Sequence, residues 1–231
     1  MSSPSFADLT VRQFVETLAS DSPTPGGGSG AAMVGAIGAA LVRMLAVLTI
    51  GKPKYAAHDA LMQAIAAGGA DGVARLLELA DEDTKAYDAV SSAYKLPKAT
   101  EAEQATRKAA IQAALKGAVD VPMKIMEQCL EVIGLAKNAV PNGNRNAVSD
   151  GAAGAEFARS AMAVAAYNVR INLVSIEDER FCKDARTKLD EILYMGTTTA
   201  GEIDSKVQEM WKPKPTTPPP PFGGLGLRKP G

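Results

Sequence analysis

The stretch Pro23-Thr24-Pro25-Gly26-Gly27-Gly28-Ser29 constrains this chain more than any other, because no regular element can contain it. Proline lacks an amide hydrogen and fixes φ, and successive glycines open backbone shapes closed to other residues, so the stretch is a turn built to a particular shape. The most apolar run of the chain follows at once, SGAAMVGAIGAALVRMLAVLTI, with no helix breaker before Thr49 and with Ser29 as the expected N-cap. A glycine-rich loop that feeds a helix start aims free amides and the positive end of the helix dipole at an anion or a developing negative charge. The same residues also suit a tight turn between packed helices. They match neither GxGxxG nor the phosphate-loop pattern ending in GKS or GKT, so phosphate-loop nucleotide binding is not supported.

The run from Gly30 to Ile50 is long enough to raise the question of a membrane span, but Arg43 falls inside it and small residues dominate its first half. A buried helix is the expectation. Gly27, Ala31, Gly35 and Ala39 recur every fourth residue and give a flat face for close packing of another helix, from the same chain or from a second copy.

With 46% hydrophobic and 22% charged residues among 231, the chain can bury a sizeable core, and one main domain over residues 1–211 is expected. A formal charge of −1 and the lack of a lysine and arginine block give no general pull towards nucleic acid or an anionic membrane. Cys129 and Cys182 stand alone, which fits reduced thiols, and His58 is the single histidine, so neither a histidine-rich zinc site nor a Ser-His-Asp triad is expected. MSSPSFADLT lacks the basic and apolar regions of a secretory signal, and a cytoplasmic protein is expected.

The remaining periodicity is helical throughout. Val11, Phe14, Val15 and Leu18 mark an amphipathic helix before the Pro23 turn. Gly51, Pro53 and the pair Lys52 and Lys54 make a basic loop, readable as exposed surface. A helix runs from His58 to about Tyr94, with an interruption conceivable at Gly68-Gly69 and a stop at Leu96-Pro97-Lys98. Thr100 and Glu103 form a capping box for the next helix, Pro122 marks a kink or restart, and a turn-rich stretch from Pro141 precedes a helix capped by Ser149 or Asp150 and reaching about Ser175. A last helix spans about Asp178 to Met210, with Gly196 to Thr199 as a weak spot. Residues 212–231 are rich in proline and glycine and read as a disordered tail with a minimal PxxP at Pro218 and Pro221. The class is all-α, a bundle of about six helices.

Two features suggest chemistry. At 100° per residue Asp83 points with the apolar side chains Val73, Leu76, Leu77, Leu79, Tyr87, Val90 and Tyr94, whereas Asp81 and Asp88 point away to solvent. A carboxylate on an apolar face is paired, hydrogen-bonded or shifted in pKa, so Asp83 is either a structural ion-pair partner or a functional acid. Asn168 and Asn172 lie one turn apart on an inward stripe, where such amides either tie helices or read a polar heterocycle.

Six segments together carry a family resemblance: Pro23 to Ser29; Thr49-Ile-Gly-Lys-Pro-Lys-Tyr55; Leu79-Ala-Asp-Glu-Asp83 with Tyr87-Asp-Ala-Val90; Leu96-Pro-Lys-Ala-Thr100; Asn144-Arg-Asn-Ala-Val-Ser-Asp150; and Asn168-Val-Arg-Ile-Asn-Leu173. From about Phe6 to Leu193 the chain resembles the cyclodeaminase/cyclohydrolase family of folate enzymes. The resemblance implies a helical homodimer with the folate site near the subunit interface and the acid/base carboxylate at Asp83. It implies no resident cofactor, with a tetrahydrofolate derivative as the substrate. Lys54 is the expected assistant to Asp83, and Pro25, Gly26, Gly27, Gly28, Ser29 and Tyr55 are expected to line the site. Asn168 and Asn172 are candidate pterin readers, Asn146 and Asp150 candidate helpers, and Lys52, Lys98 and Arg145 candidate holders of the glutamate carboxylates. The family opens a methenyl bridge with water or closes it by expelling ammonia. A chain of this length has no room for a formiminotransferase domain, which favours the stand-alone cyclohydrolase over the cyclodeaminase; a helical dimer without catalysis is the third reading.

Overall fold

The computed structural model describes residues 5–212 and contains six α-helices among them: α1 (Val11–Leu18), α2 (Gly27–Val47), α3 (Asp59–Tyr94), α4 (Glu101–Asn142), α5 (Val148–Leu173) and α6 (Glu179–Trp211). No strand occurs among the described residues, as the periodicity required. The tail beyond Lys212, with its PxxP, lies outside them.

α2 is the centre of the bundle, packed on α3, α4 and α5, while α6 lies on α4 and α5. It has the length and hydropathy of a membrane span, with half of its most apolar window buried by the other helices. The four-residue stripe works within this chain. Gly35 lies under Cys129 Sγ and Leu76, and Gly72 of α3 lies on Ala39. Burial pushes the Cys129 thiol up to about 12. The tightest approach is one the stripe did not include, Gly38 on Gly154 of α5. A Cβ on Gly38 would stand 2.7 Å from Gly154 O, and one on Gly154 2.6 Å from Gly38 O, so only glycines allow the two backbones to meet. Gly27 lies near Asn168 and Leu45 near Gly151, so α2 and α5 run antiparallel.

Several expected boundaries are corrected. Gly26 is the N-cap of α2 and Ser29 lies inside the helix, because the glycines themselves enter it. α3 is unbroken at Gly68-Gly69, where Gly69 is pressed on Arg43 Cβ and Ala39 O and the missing side chain serves packing. α4 passes through Pro122 and Pro141 without a restart and ends at Asn142. α5 starts after Ala147 with no side-chain cap from Ser149 or Asp150, and α6 continues through Gly196, which seats the Met162 thioether. The capping boxes at Thr10 and Thr100 form. Only Phe14 of the α1 stripe is buried; Val11 and Val15 face an open apolar groove of about 680 Å³ shared with α2 and α5.

Candidate active site

Asp83 sits where the N-terminal turn of α2 meets the C-terminal half of α3. The Ser29 hydroxyl, fully buried, lies 2.9 Å from Asp83 Oδ2 and 3.1 Å from the Ala80 carbonyl. The Ser29 amide also favours the ionised carboxylate. The anion that the glycine-rich helix start receives is therefore the protein's own Asp83. Gly28 lies against it: a Cβ there would overlap Oδ1 and stand 2.6 Å from Cγ and 2.7 Å from Oδ2. Burial is the stronger influence, and the Asp83 pKa is raised above its ordinary value near 3.8 despite the two Ser29 donors. No ion-pair partner approaches Asp83 among the described residues, so the structural ion-pair reading of this acid is not what the fold builds.

The carboxylate opens onto a cavity of about 360 Å³ lined from four directions: the loop with Pro23, Thr24 and Gly26 to Gly28, Ala86 and Tyr87 of α3, Ala118 of α4, and Asn168 and Asn172 of α5. Pro25, whose peptide bond to Thr24 is cis, is buried beneath the loop. Tyr87 and Tyr94 are about half exposed, with Tyr87 on the cavity wall, so the apolar cluster expected around Asp83 reaches only as far as Leu76 and Leu79 at full burial. Asp81, expected in solvent, is half-buried and accepts a hydrogen bond from the Phe6 amide at 2.9 Å.

Asn172 explains how α4 tolerates a proline. Pro122 has no amide hydrogen for the carbonyl four residues back, that of Ala118. The Asn172 Nδ2 supplies it at 2.8 Å. Asn168 donates likewise to Val164 O at 3.2 Å in its own helix. Each amide thus spends an N–H on the protein and leaves its carbonyl oxygen without a hydrogen bond among the described residues, and both residues line the cavity. Asn172 is both helix tie and wall, two roles the sequence left as alternatives.

Within this chain the other expected residues are not brought to Asp83. Lys54, Tyr55 and Arg145 line a second cavity of about 530 Å³ with Lys206 and Glu209 of α6, and none of these lines the Asp83 cavity. Local bonds fix this second place. The buried Thr49 hydroxyl accepts from the Asn144 amide at 2.8 Å, Asn144 Nδ2 donates to Leu48 O at 3.2 Å, and the Arg145 amide donates to the Tyr55 hydroxyl at 3.1 Å. That amide, with nearby Lys54, lowers the Tyr55 pKa. Lys52, Lys98 and Asn146 are exposed, and Asp150 is half-buried in the first turn of α5. The two cavities lie at opposite ends of α2, which at about 1.5 Å per residue is roughly 30 Å long. Pro23, Thr24, Ala86, Tyr87, Val90, Ala118 and Ile171 also line the Asp83 cavity and were not among the expected site residues. Ala118 could have been found by asking which carbonyl Pro122 leaves unpaired. Among the described residues no group of three or more His, Cys, Asp and Glu could hold a metal ion.

An all-helical chain with a sheltered acid seated on a glycine-rich helix start defines a class of site for acid/base work on a small polar ligand. The chain belongs to the formiminotransferase-cyclodeaminase family, whose model matches residues 10–191. It is 40% identical over 206 residues to a methenyltetrahydrofolate cyclohydrolase of Methylorubrum extorquens, covering 89% of this chain and 97% of that one. It is 33% identical over 199 residues to the formimidoyltransferase-cyclodeaminase of Rattus norvegicus, covering 86% of this chain and 37% of that protein. A crystal structure of formiminotetrahydrofolate cyclodeaminase from Thermotoga maritima superimposes with a TM-score of 0.80 at 29% identity, over 88% of this chain and 98% of that one.

Proposed function

We propose that this protein is a methenyltetrahydrofolate cyclohydrolase in which Asp83 moves the protons. The observation that carries this is a carboxylate held ready by Ser29, raised in pKa by burial and facing an open cavity. The methenyl carbon lies between N5 and N10 in a cationic bridge and is electrophilic without further activation. Water adds to it while the Asp83 carboxylate takes one of its protons, giving a neutral tetrahedral adduct. Protonated Asp83 then hands the proton to the departing N5, the adduct hydroxyl loses its proton as the formyl C=O forms, and 10-formyltetrahydrofolate and one proton result. A carboxylate poised between its two forms serves both steps. The acceptor oxygens of Asn168 and Asn172 suit the ring N–H and amino donors of a pterin.

The cyclohydrolase reading is favoured over the cyclodeaminase one by the 40% identity to a protein of that activity along almost its whole length. Folate is the substrate in this reading and no cofactor is resident; the protein works in the cytoplasm, without nucleic acid or membrane as a partner. It is a homodimer. Val34, Ile37, Met44 and Val47 form an exposed apolar stripe along α2, its first two residues lining the groove of about 680 Å³. A second copy laid antiparallel on that stripe covers it and brings the partner subunit's Lys54 to Asp83, while the cationic rim of Lys52 and Arg145 holds the glutamate carboxylates.

The test is spectrophotometric. Purified protein is expected to bleach methenyltetrahydrofolate absorbance, with little gain of that absorbance from formiminotetrahydrofolate. Activity only in the second cuvette would make it a cyclodeaminase, and activity in neither would leave a non-catalytic helical dimer. If each site uses two subunits, mixing inactive Asp83→Asn with inactive Lys54→Ala protein in equal amounts restores roughly a quarter of wild-type activity, one intact site in half of the dimers. No recovery on confirmed subunit exchange would remove Lys54 from the partner's site.

A further inference from the structure

We infer that Ser29, expected at the sequence level to cap a helix and line the substrate site, is instead a positioning residue whose single hydroxyl serves both protonation states of Asp83. This deepens the reading of Asp83 as the acid/base and rests on it. The geometry is that of one donor between two acceptors. Ser29 Oγ lies 2.9 Å from Asp83 Oδ2 and 3.1 Å from Ala80 O, and a hydroxyl has one hydrogen to give. With Asp83 ionised, the Ser29 hydrogen points at Oδ2, and Ala80 O keeps its place in the helical ladder of α3. With Asp83 protonated at Oδ2, the carboxyl O–H donates to Ser29 Oγ and the Ser29 hydrogen turns to Ala80 O. Ser29 Oγ and Asp83 Oδ2 stay hydrogen-bonded to each other in both states, and only hydrogens rotate, the carboxyl hydrogen turning from Ser29 towards the cavity when it is delivered. No heavy atom has to move between accepting the proton of water and delivering one to nitrogen, which preserves the alignment that proton transfer needs.

The surroundings make Ser29 the group that can do this. Ser29 is completely buried, so bulk water does not replace its hydroxyl. Among the described residues Tyr87 of α3 is the only other titratable side chain lining the cavity; the α2 turn contributes glycines, α4 Ala118, and α5 Asn168, Ile171 and Asn172. The neighbouring acids of α3 are engaged elsewhere, Glu82 with Arg75 and Asp81 with the Phe6 amide.

The pH dependence of kcat/KM for methenyltetrahydrofolate tests this in Ser29→Ala and Ser29→Thr. Loss of the donor to the ionised carboxylate moves the acid limb of Ser29→Ala upward by roughly one unit, about tenfold in activity on that limb, and lowers kcat more than it raises KM. Ser29→Thr keeps a hydroxyl in the same place and restores the wild-type profile. A Ser29→Ala profile superimposable on wild type, or a loss of activity in Ser29→Thr as deep as in Ser29→Ala with both proteins folded by circular dichroism, would overturn the assignment. If Asp83→Asn retains normal turnover, the acid/base reading itself is wrong; if that variant is dead and Ser29→Ala keeps its profile, only the Ser29 inference falls.

Discussion

Asp83→Asn is expected to lower kcat for methenyltetrahydrofolate by about 10²–10⁴-fold, the range typical of a lost general acid/base. The protein should remain folded. An amide occupies the same volume, its oxygen still accepts from Ser29, and among the described residues of this chain no cation pairs with Asp83. The variant should also melt higher than wild type at neutral pH. The folded-state pKa of Asp83 is raised, so the folded protein binds its proton more tightly than the unfolded chain does. The stability this contributes is present below the unfolded value near 3.8 and is lost as pH rises through the folded value. The gain from Asn therefore appears at neutral pH and fades in acid. Thermal melts at both pH values and steady-state kinetics check the pair of effects; a variant that is both dead and less stable at neutral pH would point to a structural role for the carboxylate.

Gly28→Ala is expected to reduce kcat about as severely, by about 10²-fold or more, because a misplaced catalytic group loses the alignment on which proximity depends. The added methyl would overlap Asp83 Oδ1 and crowd Oδ2. The Asp83 side chain can swing aside, so the substitution should move the acid off Ser29 with little loss of stability. Gly201→Ala is the control, since nothing lies within 4 Å of a Cβ there and Gly201 does not line the Asp83 cavity. Near-normal turnover in Gly28→Ala, with Gly201→Ala equally active, would mean that the contact between glycine turn and acid does not matter for catalysis.

The helical class, the positions of the helices and the inward direction of Asp83 were legible in the sequence because each rests on local periodicity. What misled was punctuation. Gly68-Gly69 and Gly196 read as weak points and Pro122 as a kink or restart, yet the glycines are where α3 and α6 take close neighbours, and the carbonyl freed by Pro122 is satisfied by Asn172 from another helix. Tertiary packing overrode propensity at all four. Ser29 was misread for a related reason: a serine after glycines is a good cap on local grounds, and only the crossing of α3 shows that its hydroxyl is turned inward to Asp83. The grouping of Lys54 with Asp83 came from the family resemblance and not from the residues, and the separation of the two cavities along α2 is a property of the folded protomer that no short-range pattern encodes.

The most direct test of the central claim is a titration of the Asp83 carboxyl itself, by carbon NMR of protein labelled at the aspartate carboxyl and assigned by its absence in Asp83→Asn. A resonance that titrates above the ordinary carboxylate range and tracks the acid limb of kcat/KM for methenyltetrahydrofolate hydrolysis is expected. A resonance that titrates at or below the ordinary value, or an acid limb that stays in place when Asp83 is replaced, would contradict the claim.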